Sequence, residues 1–200
     1  MDNFYFPESE TIYGQTFLCI TLSSSDIDDV GKQLTYNHPK VYFSSISSSS
    51  QSKYPNVGKV LNKDFVSGAD NSTLTIGKFT VFAKTGKWGK DLYADMVAPS
   101  LGADLLVETW IRGDAIGKDC PPDYKNSVCD VTTLKAGDIE WREEQDHSKW
   151  AVTLDTSSYA CIGDINRMTS QRKRGGGTAC IADKILSDAL YNTITGSDQC

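Results

Sequence analysis

The chain has 200 residues, of which 39% are hydrophobic and 10% aromatic, so it is long enough for one domain with a substantial core or for two small lobes sharing one. Its formal net charge of −6 at pH 7 argues against a protein that coats nucleic acid by bulk attraction, so any phosphate-binding site must be local. The sequence contains no apolar run of transmembrane length.

The first quarter of the chain predicts two strands and one helix. QTFLCITL (residues 15–22) is apolar and rich in strand-forming residues, which predicts a buried strand. Serines then precede an acidic start to a helix over residues 26–34. KVYF (residues 40–43) predicts a short strand, and residues 44–52 form a serine-rich stretch that predicts a flexible loop.

The second quarter alternates helices and strands. Residues 56–63 predict a short helix, and residues 72–76 and 78–83 predict two strands that turn at the glycine between them. Helical spacing of apolar residues follows over residues 91–101, and DLLVETWI (residues 104–111) predicts a strand.

The second half of the chain predicts a hairpin and a final helix. Residues 120–129 have the composition of a loop, whereas residues 150–154 and 159–165 predict two strands with a turn between them. A basic, glycine-rich loop over residues 172–177 precedes a helix over residues 183–191. Because strands and helices intermix and no repeat is visible, we expect a single region, residues 1–200, of α/β or mixed α+β class.

His147 and Lys149 form the pattern His-x-Lys at the entrance to that hairpin. Side chains two residues apart on a strand point to the same face, so both can reach one phosphate. The lysine can bind non-bridging oxygens, and the imidazole can act as a nucleophile or proton carrier. The alternative is a surface histidine beside a lysine that forms a salt bridge, and the two residues alone do not decide between them.

Four other residues could join this pair if the two strands of the hairpin associate. Asn166 and Asp164 would return beside the histidine, where the amide could bind a phosphate oxygen. Either Asp164 or Asp146 could orient the imidazole, and Arg174 could hold a phosphate of the DNA backbone. Their ordinary interpretations are a turn residue, a helix cap and a solvated basic loop.

His38-Pro39-Lys40 repeats the His-x-Lys pattern. The proline removes a hydrogen-bond donor from a strand, and no glycine and asparagine follow at a comparable spacing. We therefore interpret it as a loop that enters the predicted strand over residues 40–43, and not as a second catalytic half.

An even number of cysteines, six, suggests disulfides formed in an oxidising compartment. Asn71 begins an Asn-Ser-Thr glycosylation sequon, which agrees with secretion. The first eight residues have no basic start and no apolar run of the kind that a signal peptide needs.

The sequence resembles the deoxyribonuclease II family at DHSKW (residues 146–150), CIGDINR (residues 161–167) and RGGGT (residues 174–178). The resemblance extends, in family order, to YGQT (13–16), VGKQLTY (30–36), KWGKDLY (87–93) and LGA (101–103). It covers nearly the whole chain but only the later part of the family's length.

The resemblance implies an acid endonuclease of lysosomes or secretions that cleaves DNA to 3′-phosphate ends without a divalent metal or other cofactor. It also implies a phospholipase D-like fold in which two lobes each give one His-x-Lys motif to a shared site. His147 and Lys149 would belong to the second motif, and Asn166 would be its polar follow-on residue at a spacing that is not the strict one. The first lobe, its motif and the signal peptide should precede Met1, and His38 does not lie where the first motif belongs.

The family pattern also implies which cysteines pair. Cys161 should bond to Cys180 and Cys120 to Cys200. Cys19 would have its partner in the preceding lobe, and Cys129 is extra.

Two hypotheses follow. In the first, the chain is an endonuclease completed by the preceding lobe or by a second copy in a homodimer. In the second, it is a truncated, inactive homologue that acts at most as a DNA-binding module.

Overall fold

The computed structural model describes residues 8–200, which form one mixed sheet of nine strands with helices packed against it. The strands are β1 (Asn71–Ile76), β2 (Phe79–Lys84), β3 (Leu105–Thr109), β4 (Val128–Ala136), β5 (Ile139–Arg142), β6 (Lys149–Thr153), β7 (Tyr159–Gly163), β8 (Gly176–Ala182) and β9 (Ile194–Ser197). Their order is β1-β2-β8-β7-β6-β3-β4-β5, and β9 pairs with β4. The α-helices are α1 (Ile27–Asn37), α2 (Ser48–Lys53), α3 (Pro55–Leu61), α4 (Ala98–Leu101) and α5 (Lys184–Tyr191), and a π-helical turn spans Tyr93–Val97.

Strand β3 is an interior strand of the sheet, and all five of its residues are buried. It pairs in parallel with β4 and antiparallel with β6. Because successive side chains of a strand point to opposite faces, β3 sends Leu105 and Val107 into one apolar cluster and Leu106 into another. A strand covered on both faces reads as a nearly continuous apolar run, which is why its sequence predicted it well.

The mixed α/β class predicted from the sequence is confirmed, and the architecture is consistent with the phospholipase D-like fold that the resemblance implies. Both predicted hairpins form: β1 turns into β2 at Gly77, which has φ +56°, and β6 pairs with β7. The predicted last helix also forms as α5, where the Asp183 carboxylate accepts a hydrogen bond from the backbone N–H of Leu186.

Three local predictions were wrong. Residues 15–22 and 40–43 are not strands, and their apolar side chains, such as Phe17 at 67% and Tyr42 at 74%, are largely exposed. The serine-rich stretch of residues 44–52 is not loop throughout, because α2 begins at Ser48 and its N-cap Ser47 accepts a hydrogen bond from the Ser50 N–H. A serine at an N-cap replaces one of the missing backbone partners of a helix, so a serine run can start a helix as well as avoid one.

Two disulfides join the pairs that the resemblance implies. Cys161 bonds to Cys180 across the adjacent strands β7 and β8, and Cys120 bonds to Cys200. Cys19 is a free, exposed thiol and Cys129 is a free, buried one.

Arg167 is fully buried and is held by three carboxylates. Its guanidinium lies 2.6 Å from Asp119, 2.6 Å from Asp130 and 3.5 Å from Asp91. Its backbone N–H also donates to the Thr109 hydroxyl at the end of β3. These contacts fix the chain that follows β7 against the centre of the sheet.

Candidate active site

His147 lies two residues before β6, and its backbone is held by the N-terminal segment. Its N–H donates to the carbonyl of Gly14 at 2.8 Å, and Gly14 forms a parallel bridge with Asp146. A Cβ atom on Gly14 would lie 2.5 Å from the Asp146 carboxylate, so the glycine leaves room for that side chain beside the bridge. A segment far away in sequence therefore sets the position of the histidine.

The His147 ring is half-buried and lies beside side chains that are not part of the His-x-Lys pattern. Trp110 meets it edge to face with a centroid distance of 4.4 Å, and Tyr13 lies 6.4 Å away. The Gln15 amide Nε2 lies 3.3 Å from Nδ1 of the imidazole. Tyr13 and Gln15 belong to the YGQT stretch of the family resemblance, which was the only signal that could have found them.

Lys149 is the first residue of β6 and turns back toward His147, since its ammonium donates a short hydrogen bond to the His147 carbonyl. Burial lowers the pKa of Lys149 to about 8, and the nearby positive charge of Arg174 acts in the same direction. Asp146, Asp164 and Glu108 partly oppose this shift. Below about pH 7 the lysine remains a cation at the turn that carries His147, which suits it to bind phosphate oxygens.

Asp146 is buried, and both of its carboxylate oxygens are occupied. One accepts from the Trp141 indole N–H at 2.9 Å and the other from the Ser148 backbone N–H at 2.9 Å. The carboxylate therefore shapes the turn that carries His147. Its role in orienting or tuning the imidazole stays a prediction.

Asp164 follows β7, and its carboxylate accepts from the Gly177 N–H at 2.7 Å. The surrounding protein raises the pKa of Asp164 by desolvation, although the Gly177 hydrogen bond and the cations Arg174, Lys149 and Lys84 oppose the shift. The hairpin thus brings Asp164 into the electrostatic neighbourhood of Lys149, whereas its predicted position beside His147 stays a prediction.

Asn166 is buried beside Arg167, and its Nδ2 lies 3.9 Å from the Met168 sulfur. Its Oδ1 has no hydrogen-bond partner within residues 8–200. Its prediction as a phosphate ligand therefore stays a prediction.

Arg174 is exposed, and Lys84 holds the loop that carries it through hydrogen bonds to backbone carbonyls. Lys84 is fully buried, and its ammonium donates to the carbonyls of Gln171, Arg172 and Arg174 at 3.3, 3.1 and 2.6 Å. Burial lowers the pKa of Lys84 to about 8. The predicted flexible basic loop is in fact anchored, and its last glycines begin β8.

Glu108 is a buried acid behind the candidate site. It lies on β3 opposite Trp150 of β6 and is fully buried, and neither carboxylate oxygen has a partner among the described residues. Burial raises the pKa of Glu108 to about 9, and the negative charges of Asp146, Glu143 and Asp130 add to this, whereas Lys149 opposes it. A neutral carboxylic acid is therefore held next to the turn that carries His147.

Within residues 8–200, no group of three or more His, Cys, Asp or Glu side chains is arranged to hold a metal ion. The helices of the same region are too short or too polar to cross a bilayer.

Comparison with known proteins identifies the family of this arrangement. The family model for deoxyribonuclease II matches residues 1–200. The chain belongs to the deoxyribonuclease II family. It is similar to deoxyribonuclease-2 of Caenorhabditis elegans, with 37% identity over 98% of this chain and 53% of that protein. It is also similar to plancitoxin-1 of Acanthaster planci, with 34% identity over 99% of this chain and 57% of that protein.

A bacterial protein shows the same relationship. The putative deoxyribonuclease-2 of Burkholderia thailandensis is 39% identical over 91% of this chain and 54% of its own length. The chain therefore spans about half the length of the deoxyribonuclease II relatives that it matches.

Proposed function

We propose that the chain contributes His147 and Lys149 to the endonucleolytic hydrolysis of DNA at acid pH, by a histidine mechanism that needs no divalent metal or cofactor. The supporting observation is the imidazole itself: Gln15 and Trp110 fix its ring, and the Lys149 ammonium lies against its backbone carbonyl. The family supports DNA as the substrate, since relatives are named deoxyribonuclease-2.

The proposed reaction has two steps. A histidine nitrogen attacks phosphorus and breaks the bond to the 5′ oxygen, while a second histidine protonates that oxygen as it leaves. Water, deprotonated by the second histidine, then hydrolyses the phosphohistidine and releases a 3′-phosphate end. Splitting one difficult displacement into two easier ones is what a covalent nucleophile contributes. Lys149 would hold the non-bridging oxygens, and Arg174 a neighbouring phosphate.

The amide of Gln15 bears on which of the two roles suits His147. If its nitrogen donates to Nδ1, as placed, the ring is neutral and carries its proton on Nε2, which then has no lone pair for attack. If the amide is rotated, Nδ1–H donates to the amide oxygen. The neutral ring then has a free Nε2 lone pair for attack, and the protonated ring can donate its Nε2–H as an acid.

The second histidine of this mechanism has to come from outside the site described here. His38 is exposed, its ring stacks on Phe65 at 4.8 Å, and its Nε2 lies 2.9 Å from the Val66 carbonyl. We therefore propose that another lobe of a longer protein, or a second copy of this chain about a two-fold axis, supplies it.

The test is plasmid nicking at about pH 5 with a chelator present, where an ordinary histidine is protonated. We expect nicking by the chain at concentrations that favour dimers, and its loss in His147→Ala and Lys149→Ala. Lys135→Ala, an exposed lysine on β4, is the matched control and should retain activity.

Two results would reject the proposal for this chain. One is the absence of nicking by the folded chain at every concentration, and the other is equal activity in His147→Ala. A strict requirement for added magnesium would reject the metal-independent mechanism. End-labelling of the products should show 3′-phosphates.

A second candidate function is DNA binding without cleavage by an inactive homologue. It is favoured by the exposed apolar residues around the free Cys19, where Phe17 is 67% and Leu18 39% exposed. Such a surface is typical of an interface that another lobe or copy would cover. DNA binding by a folded chain that never nicks would select this candidate.

We further propose that the protein works in lysosomes or outside the cell. The two disulfides support an oxidising route of folding. Asn71 is exposed on the edge strand β1, where the sequon is open to glycosylation.

A further inference from the structure

A continuous basic surface meets the candidate active site at Asp164 and Arg174. Three neighbouring cavities of 460, 550 and 690 Å³ share His38 in their linings. Five exposed cations line them, and we call this surface the basic groove: Lys40, Lys63, Lys87, Lys173 and Arg174.

The charge of the groove is unlike that of the whole chain. The chain carries a net charge of −6, yet among residues 8–200 Asp164 is the only acidic residue in the three linings. Within residues 8–200 none of the five cations forms a salt bridge. Cations gathered without acidic partners create a local positive field in a chain that otherwise repels polyanions.

The groove is also built from fixed parts. Lys84 holds the carbonyls of the loop that carries Lys173 and Arg174. Gly175 packs so closely on the end of α1 that a Cβ atom would lie 2.8 Å from the Asn37 carbonyl oxygen. Lys173 and Arg174 therefore project from an anchored wall of the groove.

Two aromatic side chains lie at the far end of the groove beside Lys40. Tyr42 is 74% and Phe43 54% exposed, and both line the same cavity as Lys40 and Lys63. Exposed rings next to cations are the combination by which proteins bind single-stranded nucleic acid, since bases stack on the rings while phosphates meet the cations.

We propose that the basic groove binds the strand that flanks the scissile phosphate, with its phosphates on the cations and unpaired bases stacked on Tyr42 and Phe43. This inference rests on the proposed function for the identity of the strand. On this proposal, the protein should prefer a DNA whose bases can unpair locally over a fully paired duplex.

The test measures binding of fluorescein-labelled oligo(dT), with chelator at about pH 5, in a His147→Ala background so that no cleavage interferes. The groove variant combines Lys40→Gln, Lys87→Gln and Lys173→Gln. Its control removes the same charge from exposed lysines outside the groove, by Lys78→Gln, Lys125→Gln and Lys135→Gln. Melting curves of all variants establish that they fold.

The groove variant should lose affinity on the order of 100-fold at about 0.1 M salt, because single strands release about 0.7 counterions per contacted phosphate. The slope of log K against log salt should fall by about 2, and the control should keep most of its slope. Equal losses in the groove variant and the control would overturn the proposal.

The aromatic rings are tested separately by Tyr42→Ala with Phe43→Ala. Affinity for oligo(dT) should fall roughly tenfold or more while the salt slope stays unchanged, because stacking involves no counterions. A blunt duplex of equal length should be bound as before. Equal weakening with both DNAs, or altered self-association with unchanged DNA binding, would overturn the stacking role.

Failure of the groove proposal and failure of the catalytic proposal give different results in these experiments. Loss of nicking in His147→Ala with normal DNA binding by the groove variant retains the mechanism and rejects the groove. Specific loss of binding in the groove variant of a chain that never nicks retains the groove and rejects catalysis.

Discussion

Replacing Glu108 with glutamine should remove a strong pH dependence from the stability of the protein. Glu108 is fully buried without a hydrogen-bond partner among residues 8–200, and burial raises its pKa from 4.5 to about 9. The folded protein thus holds this proton up to about pH 9, whereas the unfolded chain releases it near pH 4.5. The contribution of Glu108 to stability is complete in acid and is lost as the pH rises through this range.

The magnitude follows from the two pKa values. Each pH unit between them costs about 1.4 kcal/mol, so between pH 4.5 and pH 7 the native protein loses about 3 kcal/mol through this group. Glutamine has a similar size and no proton to release. Relative to the native protein, Glu108→Gln should therefore gain about 3 kcal/mol over that interval, or roughly 6 to 12 °C in melting temperature for a chain of this length.

The assay is urea unfolding followed by tryptophan fluorescence at about pH 4.5, 5.5 and 7, within the titration interval. Glu140→Gln, which changes an exposed glutamate on β5, serves as the control and should show no comparable trend. A difference between Glu108→Gln and the native protein that stays constant with pH would refute the reasoning, as would a difference that shrinks as the pH rises.

Three further predictions concern groups that hold the site in place. Arg167→Ala should cost about 3–5 kcal/mol in urea unfolding, because it leaves buried carboxylates uncompensated, and Arg167→Lys should restore only part of this, since lysine lacks the guanidinium fork. Lys84→Met should speed tryptic cleavage after residues 172–174 because three hydrogen bonds to that loop are lost, and an unchanged cleavage rate would contradict the anchoring role. The Cys129 thiol lies 3.6 Å from the Cys200 sulfur, so at about pH 9 peptide mapping should reveal Cys129–Cys200 pairing with Cys120 released. At acid pH the exchange should stop, since burial raises the pKa of Cys129, and Cys129→Ser should abolish it.

The sequence predicted those parts of the fold whose signals are local. The β6–β7 hairpin has apolar strands and a short turn, so its pairing could be predicted from the sequence. The parallel pairing of β3 with β4 was not predictable, because it depends on contacts between segments about twenty residues apart that carry no turn signal.

The errors have a physical cause as well. An apolar run such as residues 15–22 predicts that its side chains will be buried, but it does not identify the surface that buries them. Within residues 8–200 no strand pairs with this run. The burial of Lys84 and Glu108 could not be predicted from the sequence either, because lysine and glutamate on a strand are normally exposed to solvent.

The site also depends on residues that cannot be recognised from the His-x-Lys pattern. Gln15 and Gly14 reach His147 across more than 130 positions of sequence, and Trp110 reaches it from the end of β3. Only the resemblance, which includes YGQT, connected the first two with the motif.

The backbone bridge between Gly14 and Asp146 makes the N-terminal segment part of the proposed active site, although the segment contains no candidate catalytic residue. Proteolytic trimming that removed this segment would leave His147, Lys149, Asp164 and Arg174 all in place in the chain, with β6 and β7 still paired. It would nevertheless remove the carbonyl that accepts from the His147 N–H and the amide that faces its ring. Cleavage at the N-terminal side should thus abolish the proposed nicking activity while leaving the His-x-Lys motif in the chain.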